Sequence, residues 1–269
     1  MNCDIVGIVE SWATEDIKDA ELALDGFTMF RKDRGGERGG GLLLYVSDRF
    51  ETTLEMQCMN ANFEESIWCT VDTAPGSKLL VGLCYRKTNS SSANNESLLE
   101  AMEAASKCKI DSHMTIFGDF NYRSINYSQY SVAPDGGLAP QEFFEKTQEL
   151  FLIRNVHEFT WCREEQRSSV LDYIFTDEEN MIDDMKYLAP LGKSDHACLT
   201  WCMTVMQTPI DDSTEKLNYW KGDYDSISQD LSNHNWSELL ADTQNVDDAW
   251  LLFKTELLES ISRHVPKRM

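Results

Sequence analysis

Nowhere does this 269-residue chain approach the roughly 18 uninterrupted apolar residues of a membrane-spanning helix, so the sequence offers no helical span. The first residues include Asp4 and Glu10 and lack the basic, then apolar, then small-residue order of a secretory leader; none is expected. The eight cysteines (Cys3, Cys58, Cys69, Cys84, Cys108, Cys162, Cys198 and Cys202) form no CxxC, and neither a second cysteine pair nor a histidine pair accompanies Cys198 and Cys202. That argues against structural zinc. Cys69, Cys84 and Cys198 sit in apolar, strand-like runs, as buried reduced thiols of an intracellular protein would. No G-x-S-x-G elbow surrounds Ser11, Ser168 or Ser169, so no serine nucleophile is indicated. Repeats and low-complexity tracts are also missing. Positive charge is scarcest: 24 Lys and Arg face 46 Asp and Glu, a net charge of −22. Such a surface repels polyanions, whereas nucleic-acid enzymes usually carry a basic footprint. The local exception is Arg31-Lys32-Asp33-Arg34-Gly35-Gly36-Glu37-Arg38, with four cations in eight residues.

What is present is a globular composition, 42% hydrophobic and 26% charged. Strands are expected at Asp4 to Val9, Leu42 to Val46, Ile67 to Val71, Leu79 to Tyr85, Met114 to Phe117, Phe159 to Cys162, Val170 to Phe175 and Ala197 to Val205. Gly39-Gly40-Gly41 opens the second of these, and Pro75-Gly76 marks a turn. Helices are expected over Thr14 to Leu24, Glu96 to Lys107 and Pro140 to about Leu150, with Thr88 to Asn95 a loop. Strands outnumber helices and do not alternate regularly with them, which suggests two packed sheets with helices outside. After about Pro209 the chain turns polar and acidic. Asn245 to His264 then carries Val246, Trp250, Phe253, Leu257 and Ile261 on one helical face, with Asn245 as cap, Asp247 and Asp248 at the positive end, and Arg263 and His264 at the negative end. Residues 1–209 are read as the main domain and 210–269 as a linker with a helical appendage.

Gly118-Asp119-Phe120-Asn121 is the most informative peptide. It follows an apolar strand and places a carboxylate and a carboxamide where the strand runs out, the edge at which open α/β sheets build sites. Alternate residues of an extended chain face one way, so Asp119 and Asn121 can converge on one atom. Glu10, Tyr85-Arg86, Asp172 and Asp195-His196 also fall at expected strand ends. Taken singly, each has a plain structural explanation. Asp and Asn are common in turns after strands, Tyr85 can simply pack at a strand end, and Arg31 to Arg38 can be a solvated loop.

Taken together, six peptides resemble the endonuclease/exonuclease/phosphatase superfamily in its order: Ile-Val-Gly-Ile-Val-Glu10-Ser-Trp, Gly39-Gly-Gly-Leu-Leu-Leu-Tyr-Val46, Val-Gly-Leu-Cys-Tyr85-Arg86, Gly118-Asp-Phe-Asn121, Leu171-Asp-Tyr173 and Ser194-Asp-His196. The Arg-Lys-Asp-Arg strip before the glycine run, and Tyr85-Arg86 closing its strand, resemble the apurinic-like endonuclease of non-LTR retrotransposons. The tail, with Trp236, Trp250 and its Val-Pro-Lys-Arg ending, is similar to the segment joining that endonuclease to a reverse transcriptase. No polymerase motif occurs in this chain.

The resemblance implies a four-layer α/β sandwich and cleavage of phosphodiesters in DNA with Mg²⁺, or Mn²⁺ in its place. By the same resemblance Glu10 and Asp195 hold or adjoin the metal. Asp119 positions or deprotonates water, Asn121 orients it or binds phosphate, and His196, oriented by Asp172, faces the scissile phosphate. Tyr85 bonds a phosphate oxygen, while Arg31, Lys32, Arg34, Arg38 and Arg86 contact DNA. A downstream reverse transcriptase and action in the nucleus are implied partners and place; no targeting signal is visible. The family begins with one more strand, bearing an Asn, followed by a helix. Met1 stands nine residues before Glu10, so both are expected to be absent and activity impaired. Two other functions fit the residues: a phosphatase or phosphodiesterase acting on small molecules or lipids, favoured by the acidic surface, and a catalytically impaired remnant.

Overall fold

The computed structural model describes residues 3–35, 39–55, 63–74, 77–108, 112–163, 168–205, 221–241, 243 and 245–266. The chain divides into two compact units, Met1–Met206 and Gln207–Met269. The first unit contains strands β1 (Ile5–Val9), β2 (Phe27–Lys32), β3 (Leu42–Ser47), β4 (Glu51–Leu54), β5 (Ser66–Ala74), β6 (Ser77–Tyr85), β7 (Ser112–Asp119), β8 (Ile125–Asn126), β9 (Ser131–Val132), β10 (Ile153–Arg154), β11 (Asp172–Thr176), β12 (Ile182–Leu188) and β13 (Cys198–Met203). Its helices are α1 (Asp19–Leu22), α2 (Ser92–Cys108) and α3 (Leu138–Glu149). A six-stranded sheet runs β10-β11-β7-β6-β5-β4; a three-stranded sheet runs β1-β3-β2; β12 pairs with β13 and β8 with β9. All described pairings are antiparallel except β6 with β7. That parallel step requires a crossover, which α2 supplies.

Side-chain alternation divides the interior in two. Leu80 and Cys84 of β6, Met114 and Ile116 of β7, and Tyr173 and Phe175 of β11 face Leu98, Ala101, Met102 and Phe143 of α2 and α3. Leu79, Val81, Leu83 and Tyr85, with Phe117 and Ile174, face the other way, onto Leu42, Leu44 and Val46 of β3 and onto Trp201 and Met203 of β13. The opposite side of β3 carries the buried Leu43 and Tyr45, whose hydroxyl donates to the Leu22 carbonyl of α1 at 2.7 Å. The expected mixed α/β sandwich is therefore present, with a thin outer layer at α1.

Several boundaries differ from expectation. The helix expected over Thr14 to Leu24 shrinks to α1 because Arg31 captures the carbonyls of Thr14 and Ile17 from the side, at 2.6 and 2.7 Å. Phe159 to Cys162 makes only isolated bridges at Trp161 rather than a strand. The polar stretch before Glu96 is already helical from Ser92. Unexpected strands β2, β4 and β12 are rich in charged or hydroxyl residues. Seven cysteines are free thiols; Cys69 and Cys84 are buried, Cys198 is half-buried, and Cys58 lies outside the described residues, as does the Pro75-Gly76 turn.

The second unit holds α4 (Tyr224–Ser232), α5 (Trp236–Leu239) and α6 (Val246–His264). Asn245 caps α6 by accepting from the Asp248 amide at 2.9 Å. Trp236 stacks on His234 and packs against Phe253. Val246 and Trp250 of the expected apolar face are exposed, whereas Phe253, Leu257 and Ile261 are half-buried and Ser260 is buried. Among the described residues no helix is long and apolar enough to cross a membrane.

Candidate active site

Three adjacent strands of the large sheet end together. Tyr85 on β6 stands beside Asp119 on β7, and Asp119 beside Asp172 on β11. Parity puts all three on the face that looks toward the smaller sheet, since Leu83, Phe117 and Ile174 share that face two residues away. Gly118 makes the close approach feasible. Its φ is +141°, and a Cβ there would fall onto the Cys84 carbonyl oxygen of the neighbouring strand, so only glycine fits.

Asp119 is buried and accepts from both nitrogens of Asn121, the backbone N–H at 3.1 Å and Nδ2 at 2.7 Å. Asn121 holds a left-handed φ of 56°, a conformation asparagine tolerates better than most residues. Its Nδ2 also donates to the Arg86 carbonyl at 3.0 Å. Burial drives the Asp119 carboxyl well above the usual carboxylate range, and the charge of Asp172 adds to this; His196 and Asn121 oppose it.

His196 Nδ1 lies 2.8 Å from Asp172 Oδ2. The acceptor oxygens and imidazole of Asp119, Asp172 and His196 lie within 4.8 Å of one another. Burial alone would make His196 less basic. The hydrogen bond to Asp172 and the charges of Asp172, Asp119 and Asp195 outweigh it and raise the imidazole to about 9. Thr160 fixes the start of β11, its hydroxyl accepting from the amides of Leu171 and Asp172 at 3.0 Å each. The segment 160–162 also holds the histidine loop: Cys162 N–H donates to the Asp195 carbonyl at 3.1 Å, and Ala197 N–H to the Thr160 carbonyl at 2.7 Å. Asp195 itself is half-buried.

Glu10 follows β1 with a left-handed φ of 54°, a conformation that costs a non-glycine residue roughly 1–2 kcal/mol. The Tyr85 hydroxyl donates to its carboxylate. Burial raises the phenol well above its ordinary value, and Glu10 and Asp119 push the same way. Tyr85 thus connects the glutamate to the aspartate row, its hydroxyl proton engaged by Glu10.

The expected DNA-contacting cations have diverse surroundings. Arg31 uses all five of its donors inside the protein, on Asp33, Asp19, Ile17 and Thr14. It is an internal clamp with no donor left for a phosphate. Arg34 forks onto Glu65, at 2.6 and 2.8 Å, and lies 5.4 Å from the Tyr85 ring centroid. Arg86 is buried, donating to Asn95 at 2.7 Å and to the Phe120 carbonyl at 3.3 Å over the Tyr122 ring. It therefore fastens the Asn121 loop from behind. Lys32 is half-buried on β2, and Arg38 lies outside the described residues. Residues not foreseen are Thr160, Trp161, Glu65 and Arg123. Arg123 is exposed and sits 4.0 Å from the Trp161 ring centroid, and Trp161 bridges His196 through the backbone. Its position two residues after Asn121 was the available signal.

The donor set fits a hard divalent cation: carboxylate oxygens dominate, with Asp119 and Asp172 side by side and Glu10 joined to their row through Tyr85.

Comparison with known proteins now adds to the geometry. Residues 79–200 match a family model described as endonuclease-reverse transcriptase. The structure resembles the endonuclease domain of TRAS1, a telomere-specific non-LTR retrotransposon, with a TM-score of 0.53 and 16% identity over 68% of this chain and 80% of that one. It also resembles the catalytic domain of Xenopus laevis APE2, with a TM-score of 0.52 and 11% identity over 77% and 86% of the two chains. No curated protein matches the sequence. The fold is that of these domains, consistent with the endonuclease/exonuclease/phosphatase superfamily, and the family model matches less than half of the chain. Within it, the stretch from β6 into β13 carries the endonuclease-reverse transcriptase pattern.

Proposed function

We propose that the first unit is a metal-dependent phosphodiester hydrolase that nicks DNA, the endonuclease part of a retroelement protein whose continuation is a reverse transcriptase. The observation that carries this reading is the cluster of the buried Asp119 with the half-buried Asp172 and His196, with Glu10 tied to it through Tyr85. The family match to an endonuclease-reverse transcriptase favours DNA over a small molecule.

In this reading Asp119 takes a proton from the attacking water. A buried carboxyl with raised proton affinity is a better base than a solvated one. Asn121 holds that water or a phosphate oxygen. His196, protonated at neutral pH, offers Nε2–H to the phosphate, while Asp172 fixes its orientation from Nδ1. An imidazolium aimed at the developing charge is worth on the order of 10²–10³ in rate. Tyr85 steadies Glu10. Glu10 and Asp195 would hold Mg²⁺, or Mn²⁺ in its place. A cation held by these carboxylates would supply charge that polarises a phosphoryl oxygen and offsets the charge of the leaving oxygen.

The test is incubation of supercoiled plasmid with the protein and Mg²⁺ or Mn²⁺. Nicked circles are expected, lost with EDTA and with Asp119→Asn. The acidic surface favours a second reading, a phosphodiesterase for small or lipid substrates. Hydrolysis of inositol phosphates or sphingomyelin without plasmid nicking would decide for it.

A further inference from the structure

A polyanion approaching a protein of charge −22 needs cations at the point of contact. The strip at residues 31–38 supplies few among its described members. Arg31 has every donor occupied, and Arg34 is forked onto Glu65. Arg86 is buried against backbone carbonyls. Arg123 differs from all three. It is exposed, and among the described residues no carboxylate and no hydrogen-bond acceptor engages its guanidinium. What holds it is the face of Trp161, 4.0 Å from ring centroid to guanidinium carbon. Trp161 is itself 5% exposed and bridged through its backbone to both Ser169 and His196.

This arrangement has a physical consequence. Stacking restrains a long side chain without using its N–H groups, so the five donors stay outward while much of the ordering cost is already met. A planar guanidinium held in this way matches two oxygens of a phosphate. The chain anchors it at both ends of the site: Arg123 follows Asn121 by two residues, and its ring platform pairs with the backbone of His196.

We propose that Arg123, held on Trp161, grips a phosphodiester of the substrate strand next to the one that is cut. This rests on the reading of Asp119, Asp172 and His196 as a phosphodiester site.

The test uses the full chain with Asp119→Asn, which prevents cleavage, alone and combined with R123Q or R123K. Binding of a labelled DNA duplex is followed by anisotropy across a salt series. R123Q is expected to weaken binding about tenfold and to lower the slope of log affinity against log salt by about one, the mark of one lost phosphate contact. R123K should keep the slope and recover part of the affinity. In the cleavage-competent chain R123Q should raise KM and leave kcat within about twofold, the pattern of lost uniform binding. Melting temperature should not move, because the side chain is exposed. Unchanged affinity and slope in R123Q, with plasmid nicking intact in the parent, overturns this inference and leaves the function standing. Weaker binding with an unchanged slope and a lowered melting temperature shows mere packing on Trp161, and also overturns it. Arg123-dependent duplex binding by a parent that does not nick supports Arg123 and removes the hydrolase. A parent that neither nicks nor binds duplex removes both.

Discussion

Each of the two units ties a histidine to an aspartate, and the two pairs behave in opposite ways. In the first unit His196 Nδ1 lies 2.8 Å from Asp172; in the second, His264 Nε2 lies 2.9 Å from Asp230. The distances are nearly equal, but the neighbours are not. Beside Asp172 stands the buried carboxyl of Asp119, and Asp195 adds its charge to the histidine. Beside Asp230 stand donors, the Ser260 hydroxyl at 3.0 Å and Arg263 at 3.2 Å. Negative charge is in excess in the first cluster and balanced in the second. Asp119 is accordingly pushed up, whereas the hydrogen bonds from His264 and Ser260 hold the Asp230 carboxyl below its ordinary value. The spacing of a His–Asp pair alone therefore does not fix its electrostatics. Unbalanced charge around it is what sets the Asp172–His196 pair apart from the Asp230–His264 pair.

The sharpest way to break this comparison is to neutralise each aspartate in turn. Asp172→Asn should lower plasmid nicking on the order of 10³-fold, since His196 loses both its orientation and its stabilised charge. Asp230→Asn, in the other unit, should leave nicking within about twofold, because among the described residues the Asp230 carboxylate pairs with Ser260, Arg263 and His264 and with no residue of the first unit. Initial rates of nicked-circle formation measure both. Equal losses in the two variants would mean that the pairs are equivalent braces, and the distinction drawn from their surroundings would be wrong.

Stability offers a second contrast. Gly118→Ala places a methyl on the Cys84 carbonyl at φ +141°, between paired strands that cannot separate without losing ladder bonds. A cost of about 3 kcal/mol or more is expected, in the range of strained core backbone. Asn245→Ala removes only the side-chain cap of α6, worth about 1 kcal/mol. Hydrogen exchange read peptide by peptide gives each cost in its own unit. A Gly118→Ala chain with unchanged protection in β6 and β7 would show that the strand spacing there is loose.

The candidate site was legible in the sequence to the extent that its residues follow apolar strands. Glu10, Tyr85, Asp119 and Asp172 each end or begin a run whose alternation is readable, and strand parity then aligns the last three on one face. The fold was legible for the same reason: β3, β6, β7 and β11 are apolar on both sides because both of their faces are buried. Strands with one wet face were missed. In β12 the acids Asp183 and Asp184 interrupt the pattern at a bulge, and in β2 the closing Arg31-Lys32 read as part of a basic loop. The fate of the arginines was also hidden. Glu65 stands 31 residues from Arg34, and only the folded chain shows which carboxylates neutralise which cations. Thr160 and Trp161 were invisible beside the candidate site because they reach it through backbone groups, the Thr160 hydroxyl holding the Asp172 amide and Trp161 bridging His196.

The smallest effect tests the comparison through pH. His196 is raised from an ordinary 6.5 to about 9, so the stabilisation it brings to the first unit is complete below 6.5 and is lost as pH climbs through 9. Asp119, raised by burial and by Asp172, works in the same sense, because acid relieves its repulsion. Asp230 is lowered from an ordinary 3.8, so its contribution to the second unit is complete above that value and is lost as pH falls through the lowered one. The two units should loosen at opposite ends of the scale, the first in alkali and the second in acid. Hydrogen exchange on the full chain in EDTA, corrected for the intrinsic pH dependence, follows each separately. Asp172→Asn should remove the alkaline step and Asp230→Asn the acid one. If wild-type protection in both units instead fell together in acid, with no alkaline step, His196 would not be the charged partner of Asp172, and the electrostatic distinction between the pairs would fail at its source.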